Sequence, residues 1–107
     1  MERIGIVYFN DIECGIIKEI EGLFIFSYKK EYLNSENPVA ISLTMPLTEE
    51  DYKSNVLFPF FDGLIPEGYL LDLASRKYSI DKKDRMSLLL TVCEDTIGAV
   101  SVKGVQS

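Results

Sequence analysis

The stretch Leu57–Gly68, LFPFFDGLIPEG, limits the fold more than any other part of the chain. It concentrates Leu57, Phe58, Phe60, Phe61, Leu64 and Ile65 around two prolines and two glycines. Pro59 and Pro66 lack backbone donors and fix φ, so no long strand or helix can run through it. Asp62-Gly63 adds a turn signal. A segment this apolar and this interrupted is either a core plug between two elements or a surface that meets a partner.

The elements on either side follow from periodicity. Arg3–Phe9, Gly15–Ile20 and Leu23–Tyr28 are three β-branched and aromatic runs. Asn10-Asp11 and Glu21-Gly22 separate them, which predicts an antiparallel meander. The first and third runs are apolar at nearly every position, so helices should cover one face of the sheet. Lys29–Asn37 reads as one helical turn and a loop, with Tyr32 and Leu33 as anchors. Pro38–Leu43 is expected to be a fourth strand with Val39, Ile41 and Leu43 in alternation. Thr48–Asn55 reads as a charged loop in which Thr48 could cap a helical turn.

Beyond the opening stretch, Pro66-Glu67 predicts a helix start and a helix to about Tyr78. Leu70, Leu73, Ala74 and Lys77 share one face of it, which Leu71 and Tyr78 broaden. A second helix is expected over about Lys82–Cys93, capped by Asp81, with Asp84 in a capping-box position. Its core face is Met86, Leu89, Leu90 and Cys93, and Leu88 and Val92 extend burial to its other side. Ile97–Val102 reads as a last strand. The predicted fold is α+β: a small, mostly antiparallel sheet, made of a meander and two later strands, with two main helices packed on it. At 107 residues the chain is read as a single domain over 1–103 with a short tail over 104–107. A chain of this size buries roughly 65% of the surface its unfolded form exposes.

Charge and composition remove several function classes. Seventeen acidic and 11 basic residues give a net charge of −6, without the basic footprint that direct nucleic-acid binding needs. There is no histidine, which removes the commonest general base, the Ser-His and Cys-His pairs and most zinc sites. No Gly-rich phosphate loop is present. Glu49-Glu50-Asp51 and Glu94-Asp95 read as solvated loop faces. Cys14 and Cys93 have no metal or redox spacing; they read as reduced thiols, with Cys14 in a turn and Cys93 in a helix core. No catalytic, cofactor or metal residues are assigned. No leader pattern and no membrane-length apolar run are present, so the expected location is cytoplasmic.

Four blocks together resemble a known family: FSYKKEYL (Phe26–Leu33), AISLTMPL (Ala40–Leu47), LFPFFDGLIPEG, and LLLTVCEDTIGAV (Leu88–Val100). Their order and spacing resemble the N-terminal subdomain of the HipA family of serine/threonine kinase toxins. Asp62-Gly63 departs from the family, which usually has Asn or another residue before the leucine. HipA kinases continue into an ATP-binding core with catalytic Asp, His and Asn motifs. These 107 residues carry none, so the resemblance does not bring kinase activity with it. A free-standing copy of the subdomain resembles the HipS-like component of three-gene HipB–HipS–HipT systems. That resemblance implies an antitoxin without enzymatic activity, which binds and neutralises a HipT-like kinase toxin by supplying the subdomain in trans. It also implies a HipB-like helix-turn-helix partner as the DNA-binding component. The alternative is the leading part of a longer HipA-like toxin; Met1 and the KGVQS ending are read in favour of a complete protein.

The expected partner surface is the tip of the opening stretch and the outer side of the following helix: Phe60, Phe61, Asp62, Leu64, Ile65, Glu67, Tyr69, Asp72 and Arg76. Aromatic and arginine side chains dominate such interfaces. The competing reading for Phe58, Phe60 and Phe61 is that they are core. Ile65 is expected to be the exposed apolar contact, with the Asp62–Ile65 tip facing outward.

Overall fold

Two tight turns build the first half of the molecule. In the computed structural model, which describes residues 2–96 and 98–105, Asn10 and Asp11 have φ of 48° and 67°. Glu21 and Gly22 follow suit at 49° and 83°. Two successive left-handed residues match the twist of antiparallel strands, which is why Asn, Asp and Gly serve at hairpin turns. The turns join β1 (Glu2–Phe9), β2 (Ile12–Ile20) and β3 (Leu23–Tyr28) into the expected meander. β4 (Tyr52–Ser54) adds to the free edge of β3, and β5 (Val100–Val105) to the free edge of β1. The result is a five-stranded antiparallel sheet in the order β4-β3-β2-β1-β5.

The pleat divides this sheet cleanly. One face carries Val7, Ile17, Phe24, Phe26, Tyr28, Val100 and Val102, all buried. Phe26 is its centre: its ring lies 4.9 Å from Tyr28, 5.4 Å from Phe61 and 6.4 Å from Tyr52. The other face carries Ile4, Ile6, Ile16, Lys18 and Ile25, half-buried beside one another. One face is thus covered by helices, as expected.

The described residues also form four helices: α1 (Lys30–Leu33), α2 (Pro59–Asp62), α3 (Gly68–Tyr78) and α4 (Arg85–Val92). α4 is the main cover, burying Met86, Leu88 and Leu89, with Cys93 buried at its end. Both sides of α4 are engaged, as its leucine pattern predicts.

Several expectations need correction. Pro38–Leu43 is not a strand; it forms only an isolated bridge, Ser42 to Met45. Its backbone groups pair with two tyrosine hydroxyls instead of a ladder. Tyr32 Oη accepts from Val39 N–H and donates to Val39 O, and Tyr28 Oη accepts from Ile41 N–H and donates to Met45 O. That satisfies the buried backbone without a neighbouring strand. The added strand is instead Tyr52–Ser54, inside the stretch read as a charged loop, where Tyr52 carries its ring to Phe26. Thr48 caps no helix; its hydroxyl accepts from Glu50 N–H in a local turn.

Cys14 lies within β2, buried at a bulge opposite Val7 and Tyr8, not in a turn. The cap of α4 is Asp84, which accepts from Ser87 N–H; Asp81 accepts from Lys83 N–H one turn earlier. α3 begins at Gly68, so Pro66 lies outside it. The last strand begins at Val100, and Ile97 lies outside the described residues. Gly104 and Val105, read as tail, belong to that strand; 106–107 lie outside the described residues.

Candidate partner-binding surface

The Pro59–Gly68 corner is the joint on which any docking surface depends. Phe58, Phe61 and Ile65 are buried, Phe61 completely and Ile65 to 2% exposure. Phe60 is half-buried with its ring 5.3 Å from Phe61. Asp62 is held inward by Arg85, whose Nε donates to Oδ1 at 2.6 Å, tying the end of α2 to the start of α4. Leu64 is half-buried, and its carbonyl accepts from Cys93 Sγ at 3.5 Å. The Asp62–Ile65 tip therefore packs onto the core instead of facing outward. Ile65 is a core residue, against expectation. The reason is local: a four-residue helix turns the chain back on itself, and the two apolar residues after Gly63 fall under it.

α3 behaves in the opposite way. None of its 11 residues is buried. Leu71 and, after the helix, Ile80 are the side chains that pack against the core. With 3.6 residues per turn, Tyr69, Leu70, Leu73, Arg76 and Lys77 share the arc opposite Leu71 and Ser75. Tyr69 is 71% exposed, Leu70 62%, Leu73 41% and Tyr78 45%. Of the face that Leu70, Leu73, Ala74 and Lys77 share, Leu70, Leu73 and Lys77 are thus turned away from the core. A contiguous apolar helix face left open on a small domain marks a site that meets another surface.

Of the expected surface residues, Glu67, Tyr69 and Arg76 are exposed. Asp72 is engaged on the flank of α3 by Lys82. The hydrogen bond from Lys82, helped by its charge, holds the Asp72 carboxyl below its ordinary range. Phe60, Asp62 and Leu64 are half-buried, and Phe61 and Ile65 are core. Leu70, Leu73 and Tyr78 were missed as surface residues. Leu43 was also missed; it stands fully exposed at the tip of the Ser42–Met45 turn. Amphipathic spacing could identify the leucines of α3 as a face, but not which body that face meets.

The remaining chemistry is quiet. Burial pushes the Cys14 thiol up to about 12 and the Cys93 thiol up to about 11, far from a reactive thiolate. Glu49, Glu50, Asp51, Glu94 and Asp95 are exposed, as read. Among the described residues no group of three or more acidic or cysteine side chains is placed to hold a metal ion. No described helix is long and apolar enough to cross a membrane.

Three comparisons with known proteins find similar chains. The family model described as the HipA N-terminal domain matches residues 5–103. An uncharacterised protein of Haemophilus influenzae is 32% identical over 101 residues, spanning 94% of this chain and 92% of its own. A solved structure, the N-terminal domain of HipA toxin, matches with a TM-score of 0.73 at 28% identity, covering 98% of this chain and 94% of that one. The chain belongs to the HipA N-terminal domain family, and is thereby related to the HipA toxin–antitoxin proteins.

Proposed function

We propose that this protein is an antitoxin that binds a HipT-like serine/threonine kinase toxin and neutralises it by protein–protein contact, without catalysis of its own. The observation that carries this reading is the outward apolar face of α3, Tyr69, Leu70 and Leu73, on a domain of the family that also forms the N-terminal domain of HipA toxin. The sequence has no histidine and no phosphate-binding loop, which fits a binding role. In this reading the protein supplies in trans, in the cytoplasm, the domain that a HipA-type kinase carries in its own chain. A HipB-like protein supplies DNA binding, in keeping with the acidic charge here. Helix-in-groove docking is the mode that such a face uses.

Co-expression with a HipT-like kinase tests the proposal. Growth should be restored and a complex should co-elute on gel filtration. Leu73→Asp should abolish both while leaving the circular dichroism spectrum unchanged. A kinase that stays toxic and elutes alone in the presence of the wild-type protein sinks the reading.

A second reading draws on the match to the N-terminal domain of a HipA toxin: the same domain as the leading part of one longer kinase chain. The α3 face would then be covered in cis. An in-frame kinase core following codon 107 in the gene decides for it.

A further inference from the structure

The outward arc of α3 is cationic as well as apolar. Arg76 and Lys77 lie one turn beyond Leu73 and on either side of its direction at 3.6 residues per turn. Both are exposed. Among the described residues neither forms an ion pair, whereas Lys29, Lys82, Arg85 and Lys103 each face a carboxylate. Arg76 Nε leans on Asp72 O at 3.4 Å, and Lys77 Nζ sits 5.2 Å from the Tyr78 ring centre. The terminal nitrogens of Arg76 have no protein partner among the described residues. The one nearby carboxylate is Asp72, on the flank of the arc, which Lys82 binds and which also feels the charge of Arg76. A chain of net charge −6 thus presents two cations on this exposed apolar arc.

We propose that the surface receiving α3 on the kinase partner is an apolar groove with carboxylates on its rim, opposite Arg76 and Lys77. This rests on the antitoxin reading above and specifies the chemistry of its partner. Leu70, Leu73 and Tyr69 fill the groove. Arg76 offers a planar fork suited to bidentate pairing with a carboxylate, and Lys77 a point charge beside it. Electrostatics then fixes which way round the partners meet. An acid-rimmed groove is repelled by much of this acidic molecule and attracted at the end of α3, where the two cations adjoin the apolar face. That selects one orientation and speeds encounter more than it deepens affinity. At physiological salt these fields reach only about 8 Å, and the exposed rim pairs weaken as salt rises.

The experiment measures binding of the wild-type protein, Arg76→Gln/Lys77→Gln and Leu73→Ala to the HipT-like kinase by surface plasmon resonance at 50 and 300 mM NaCl. The glutamine pair keeps the helix and avoids placing acids at its C-terminal end, where they oppose the helix dipole. Wild-type association should slow severalfold at the higher salt. The glutamine pair should bind roughly tenfold more weakly at low salt, the loss lying mostly in the on-rate, and should lose the salt dependence. Leu73→Ala should weaken binding through the off-rate and keep the salt dependence. Wild-type and glutamine-pair proteins binding alike, with Leu73→Ala weakened, overturns the acidic rim and leaves the antitoxin reading standing. No binding by the wild-type protein removes both. Sedimentation that shows a self-dimer lost in the glutamine pair makes the occupant a second copy of this chain and overturns the proposal.

Discussion

Gly15 sits where the sheet and its core leave no room for a side chain. A Cβ there would lie 2.6 Å from Ser27 O and 2.7 Å from a ring carbon of Phe26. One neighbour is backbone and the other is the fully buried central ring, so neither can give way cheaply. Gly15→Ala should destabilise the protein by about 1–3 kcal/mol, read from urea unfolding. Gly5→Ala should also destabilise the protein, because its Cβ would meet the end of Leu90 at 2.5 Å and Cγ1 of the fully buried Val102 at 2.9 Å. Ile65 makes the same point about burial. At 2% exposure its replacement by Asp places a carboxylate in the core with no partner. Ile65→Asp should lose the native circular dichroism signal and the sharp thermal transition; a folded variant would contradict the packing of the corner. Neither residue announces its role in sequence. Gly15 looks like a strand start, and Ile65 looks like the exposed residue before a proline.

At the scale of elements, α4 is held to the sheet by a polar cluster at its N-terminus. Asp84 caps the helix through Ser87 N–H and Ser87 Oγ, and accepts from Arg3 at 2.7 Å. Arg3 also reaches Glu19 on β2, so one guanidinium joins β1, β2 and α4. Burial alone would raise the Asp84 carboxyl, but the hydrogen bonds from Arg3 and Ser87 and the charge of Arg3 bring it below its ordinary value. A carboxyl depressed in the folded state contributes stability above its unfolded pKa of about 3.9, lost as pH falls through the folded value. Thermal stability should therefore fall on acidification below about pH 4, with a smaller fall in Asp84→Ala. At neutral pH that variant should lose about 0.5–2 kcal/mol, the usual worth of an N-cap. The cap itself was half legible: spacing marked Asp81 and Asp84 as a capping pair, and the chain used the second. Pro38–Leu43 was misread for a different reason. Its alternation is that of a strand, but the hydroxyls of Tyr28 and Tyr32 supply the partners a strand would find in a ladder. Those tyrosines lie 7 to 17 residues before the groups they serve, outside the alternation itself, so the pattern of the segment could not show it.

For the whole molecule, the two thiols report on global opening. Cys14 lies within β2 and Cys93 at the end of α4, both fully buried. With thiols raised to about 12 and about 11, neither should react with an aromatic disulfide reagent at pH 8 in the native state. Both should be titrated once urea unfolds the chain, and together, since one core contains them. Early reaction of Cys93 alone would mean that α4 opens independently of the sheet.

Periodicity and turn chemistry alone determined the meander, α4 and its double-sided burial, because these depend on neighbours within a few residues or on patterns of fixed period. The order and spacing of four blocks were enough to mark the family. Only the tertiary structure decided which way α3 faces. Leucines lie on more than one side of that helix, so its sequence allows either side to be covered. The angle at which the chain leaves the Pro59–Gly68 corner, fixed by burying Phe61 and Ile65, turns Leu71 inward and leaves Tyr69, Leu70 and Leu73 outside.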